Sequence, residues 1–71
     1  MGITVKEFFK KNNGVYIVDC TLYEINDNVE LRTNSDEMSS DDGLHEEWKN
    51  AEIVGWGYYP NSDGLVFSVE K

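Results

Sequence analysis

The sequence predicts an α+β domain: a short N-terminal helix packed on a four-stranded antiparallel sheet built of two hairpins, with an acidic loop and one helical turn between them. Three observations lead there. A capping-box sequence precedes an apolar stripe at helical spacing. Two pairs of β-branched and aromatic runs are each joined by a cluster of turn residues. Between the pairs, residues 34–43 lose all periodicity among serines, acids and glycine. With 71 residues, the whole chain 1–71 is expected to be one domain, with 34–43 a flexible acidic loop.

The helix is expected over residues 4–12. In Thr4-Val5-Lys6-Glu7 the hydroxyl accepts from the backbone three residues on, and the glutamate reaches back. Val5, Phe8 and Phe9 make one apolar stripe, Lys10 and Lys11 sit where cations complement the helix dipole, and Asn12-Asn13-Gly14 supplies a left-handed end. Residues 15–25 read as a strand with Tyr16, Val18, Cys20 and Leu22 on one face. Asn26-Asp27-Asn28 is the turn, and residues 29–33 alternate back as its partner. Leu44 and Trp48 at i, i+4 mark one helical turn, with Asp41 or Asp42 as its N-cap. Residues 51–59 and 65–70 form the second hairpin across the turn cluster 60–64. Simple alternation points Trp56 and Tyr58 away from the helix; a bulge at Gly55 reverses that, because one residue of slip exchanges the faces.

Several chemistries are disfavoured. No apolar run approaches the roughly 20 residues that span a bilayer. Residues 1–11 lack the apolar core of a signal peptide, and a cytoplasmic location suits the lone Cys20, which has no partner for an internal disulfide. Cys20, mid-strand beside Asp19, lacks the electropositive setting that activates a thiol and reads as a small buried hydrophobe. His45, the single histidine, lies among Asp41, Asp42, Glu46 and Glu47 with no orienting group in view. Aligning Gly43 with the EF-hand glycine puts Met38 at the first ligand position and Lys49 at the twelfth, where an acid is required. Gly55-Trp56-Gly57 has neither the lysine nor the length of a phosphate loop. No catalysis, metal or cofactor is expected.

Charge is the most informative property. Fourteen acids against six bases give a net charge of −8. The acids concentrate after residue 12, and Asp36, Glu37, Asp41, Asp42, Glu46 and Glu47 are close in sequence. Direct binding to nucleic acid or anionic membranes is disfavoured, because both rest on Lys and Arg. A basic protein surface is the favoured partner. Trp48, Trp56 and Tyr58 follow closely and are residue types that anchor interfaces; the competing reading is that the two tryptophans are core bulk. The expected partner-binding set is Asp36, Glu37, Asp41, Asp42, Glu46, Glu47, Trp48, Glu52, Trp56 and Tyr58.

The opening Thr4-Val5-Lys6-Glu7-Phe8-Phe9, the strand at 15–19 and the segment 48–56 running into 65–69 resemble, in general layout, small acidic α+β proteins encoded by phages and prophages of Gram-positive bacteria. That resemblance implies a phage-encoded inhibitor, such as an anti-CRISPR protein or another DNA mimic, occupying a basic groove of a host nucleic-acid enzyme. It supplies no site residues. The alternative is a homodimerising structural or accessory phage protein that buries the aromatic sheet face against a second copy.

Overall fold

The structure, a computed structural model, describes residues 2–12, 14 and 16–71. Its elements run β1 (Ile3–Thr4), α1 (Val5–Lys11), β2 (Asp19–Glu24), β3 (Val29–Asn34), α2 (Ser35–Ser39), α3 (Glu46–Lys49), β4 (Glu52–Tyr59) and β5 (Gly64–Glu70). The class is α+β, but the sheet differs from the expected one. It has five strands in the order β1-β4-β5-β2-β3, and β5 lies parallel to β2 while every other pair is antiparallel. Both hairpins form as the turn residues predict. What local pattern cannot supply is how they join. The segment through α2 and α3 carries the chain past the sheet, so β4 starts on the far side and the hairpin returns β5 into the centre beside β2.

The helix start is as read. Thr4 Oγ1 accepts from the Glu7 N–H at 3.2 Å, and Glu7 Oε1 accepts from the Thr4 N–H at 3.2 Å. At the end, Asn12 caps α1 with a φ of −110°, and its backbone and side-chain N–H groups both donate to the Phe8 carbonyl; the left-handed conformation expected over Asn12-Asn13-Gly14 falls partly on Asn13. Asn13 lies outside the described residues, as does Val15 of the long first strand. That strand begins only at Asp19; Tyr16, Ile17 and Val18 precede it and are exposed.

Residues 34–43, expected as a loop, contain α2. Asn34 Oδ1 accepts from the Glu37 N–H at 2.8 Å, and Met38 is completely buried. The single turn near Trp48 is present as α3, but neither Asp41 nor Asp42 caps it. His45 holds that position in a left-handed conformation with no side-chain cap, and Asp42 Oδ1 accepts from the Leu44 N–H instead.

One core unites the layers. Val5 and Phe9 of α1, Met38 of α2 and Ala51 beyond α3 pack on Cys20, Leu22, Phe67 and Val69, with Phe8 and Trp48 against them. Phe8, Phe9 and Phe67 meet edge to face at 5.2–5.6 Å, an arrangement that aromatic quadrupoles favour. Cross-strand partners share a face, so the register Leu22–Phe67 and Glu24–Val69 places all three helices on one side of the sheet. The opposite face is lined by small residues such as Gly55, Gly57 and Ser68. Tyr59 folds back there: a Cβ on Gly57 would stand 3.1 Å from its ring, so the ring lies close over the glycine.

Candidate functional site

The register of β4 decides where the aromatic residues go. Ile53 opposes Val69, yet Gly55 opposes Ser68, so Val54 is an extra residue that no partner matches. This bulge exchanges the faces of the strand beyond it. Trp56 opposes Phe67 and Tyr58 opposes Leu65, so both share the helix-bearing face, contrary to simple alternation. They nevertheless lie beyond the cover of α1, and remain 72% and 64% exposed.

Between α1 and this part of the sheet runs a groove of about 540 Å³. Ile3, Phe8, Ile53, Trp56, Leu65 and Phe67 line most of it, with Val18 and Ser35 also in its wall. Its walls are almost wholly apolar. Glu7 precedes Phe8, Asp19 follows Val18, Asp36 follows Ser35 and Glu52 precedes Ile53, so four acids neighbour the groove in the chain, against Lys10 beside Phe9 and Lys11 beside Asn12.

The acidic residues have a different fate. Asp41 receives Lys6 at 2.6 Å and Lys10 at 3.0 Å, and hydrogen bonds from these two ammonium groups hold its carboxyl down at about 2. Asp42 accepts from Lys49 at 2.9 Å. That ammonium, with help from the Leu44 N–H, holds its carboxyl far below the usual range. Lys49 itself is buried, with Nζ also donating to Ser40 Oγ at 3.1 Å. Glu37 accepts from the Thr33 hydroxyl at 2.8 Å. The run of acids holds no cation in sequence, yet its Asp41 and Asp42 are met by three lysines from α1 and α3. Asp36, Glu46 and Glu47 are the members that project outward, and Glu52 is half-buried, its carboxylate crowding Gly2.

The two tryptophans part company. Trp48 is half-buried against the core with the Lys71 ammonium 4.1 Å from its ring centroid. Trp56 is the exposed one. The structure thus sets Trp56 in the groove wall, with Tyr58 on the same face of β4, and leaves Trp48 with Glu46 and Glu47 on α3.

Sequence reasoning missed Glu24 altogether. It is enclosed beneath the β2–β3 turn, where Oε1 accepts from the Asn26 and Asp27 N–H groups at 2.6 and 2.8 Å, and Oε2 accepts from the Lys71 N–H at 2.7 Å. These bonds, the Lys71 one first, lower its pKa. Burial pushes the Cys20 thiol up to about 11, with Asp19 adding to it, so the thiol stays neutral and unreactive at neutral pH. Among the described residues no three His, Cys, Asp or Glu side chains converge as metal ligands. No described helix is long and apolar enough to cross a membrane. No protein-family model, curated protein or solved structure matches this chain.

Proposed function

We propose that the chain is a non-catalytic acidic interaction module that binds a basic surface of another protein through the groove beside Trp56. The observation that carries this reading is the exposed Trp56 lining an apolar groove beside α1, with the exposed Tyr58 next along the same face of β4. Large aromatic anchors at a concave apolar surface supply most of the energy of typical interfaces. The net charge of −8 then selects the partner, by attracting basic surfaces and speeding encounter with them. A groove that ordinarily holds nucleic acid is one such surface, and occupying it would inhibit the enzyme that owns it.

The test is affinity capture from cell extract at low salt, followed by reconstitution with the purified partner. Replacing both Trp56 and Tyr58 by alanine is expected to abolish binding, while raising salt weakens it for the unaltered chain. The triple change Asp36→Asn, Glu46→Gln, Glu47→Gln separates steering from anchoring, and is expected to slow association more than it speeds release. Binding that ignores both salt and the aromatic pair sinks the proposal.

A further inference from the structure

The groove ends at an open strand edge. β1 pairs with β4 only through Ile3–Ile53 and Thr4–Glu52, so the outer side of residues 55–59 has no strand beside it among the described residues. Free edges are usually blunted by charge. The other edge of this sheet, β3, follows that rule with Glu30 and Arg32. The β4 edge does not: from Ile53 to Ser62 there is no charged residue, and the exposed large apolar side chains are Val54, Trp56, Tyr58 and Tyr59. Its first charges are Glu52 at one end and Asp63 at the other, both acidic.

We infer that a partner protein docks here by strand addition, laying an extended segment of alternating apolar and basic residues along residues 55–59 in line with β1. This rests on the interaction reading above and specifies its mode. Main-chain hydrogen bonds to the β4 edge would fix the segment. Every second side chain would enter the groove between Trp56, Phe8 and Leu65. The five open positions span about 17 Å at a strand's rise, room for a segment of five or six residues. Charge decides against a second copy of this chain as the occupant. Each copy carries −8, and antiparallel pairing centred on Gly57 would set Glu52 of one copy opposite Ser62 of the other, next to Asp63, so that like charges approach at both ends and repel. A basic segment meets the opposite sign at both ends.

The probe is a blocked octapeptide of alternating valine and lysine, titrated into the ¹⁵N-labelled protein. Expected are saturable one-to-one binding and shifts concentrated at the amides of residues 54–59 and the Trp56 indole. Methylating alternate peptide nitrogens should weaken binding about tenfold or more, because it removes main-chain donors. Replacing lysine by glutamate, or Trp56 by alanine in the protein, should each cost about tenfold as well. The inference is overturned if the N-methylated peptide binds equally, if the shifts centre on α2 and α3, or if nothing saturates. It is equally overturned if sedimentation shows the chain pairing with itself through these amides. Should the octapeptide fail while capture still depends on Trp56, strand addition falls and the interaction module stands; loss of both removes the module itself.

Discussion

The segment from α2 to α3 and the hairpin of β4 and β5 each contain residues that invite a binding role, but the structure uses them differently. In the first, the conspicuous groups are satisfied within the molecule: Asp41 by Lys6 and Lys10, Asp42 by Lys49, Met38 by the core. In the second, Trp56 and Tyr58 have no internal task that needs their size and stand in solvent. A side chain that already has partners is spoken for by the fold. One that is large, apolar and exposed has a use still to be accounted for. The difference moves the weight of recognition from the acids, where sequence places it, to the aromatic hairpin.

The strongest way to break that contrast is to damage the first region and find no loss of stability. Met38 is wholly enclosed where α2 meets the core. Met38→Ala is expected to cost about 2–5 kcal/mol, the usual range for truncating a buried methionine. Urea denaturation followed by far-UV circular dichroism reads it directly. An unchanged midpoint would mean that residues 34–43 behave as the loop their composition suggests, and that α2 contributes nothing to the fold.

Acid sharpens the same contrast. Asp41, held at about 2 by Lys6 and Lys10, and Asp42 and Glu24, also depressed by their bonds, all ionise more readily folded than unfolded. Their contribution is therefore complete above the unfolded carboxylate value of about 4 and is lost as pH falls through the folded values. The melting temperature should stay level from neutral pH to about 5 and fall between about 4 and 2. The double variant Lys6→Ala, Lys10→Ala should make that fall shallower, because Asp41 then titrates near its ordinary value. Asp41 is itself well exposed, so the part that depends on it is modest and shrinks with salt. A variant that falls as steeply as the unaltered chain would show these pairs to be decorative.

How much of this is legible in the sequence depends on the range of the interaction. The Thr4 and Glu7 capping box, the Asn28 turn with φ of 58° and the Gly64 turn with φ of 70° involve neighbours and can be read directly. So, in hindsight, can α2: Asn34 three residues before Glu37, with Met38 next, is a helix-start signal hidden by the acids and serines around it. The bulge at Val54 has no such signal, because it exists only relative to the strand beside it. Lys10 reaching Asp41 across 31 positions, and Glu24 reaching the Lys71 N–H across 47, are invisible for the same reason. Long-range partners, more than composition, decide whether a carboxylate is free.

The smallest expected effect carries the most information about the second region. Trp56 opposes Phe67 across the strands, and a core tryptophan in that register would cost about 3–5 kcal/mol to truncate. Because its stretch of β4 lies beyond the cover of α1, most of its surface already meets water in the folded state. Trp56→Ala should therefore change stability by no more than about 0.5 kcal/mol, as surface replacements usually do. Phe67→Ala, its buried cross-strand neighbour, should show the full core penalty in the same denaturation series. If the two losses are comparable, the indole is structural, the groove is closed by it in solution, and the aromatic hairpin loses its claim to be the recognition surface. If they separate as expected, a large aromatic residue that contributes almost nothing to folding stands exposed in the wall of an apolar groove, and recognition is the role left for it.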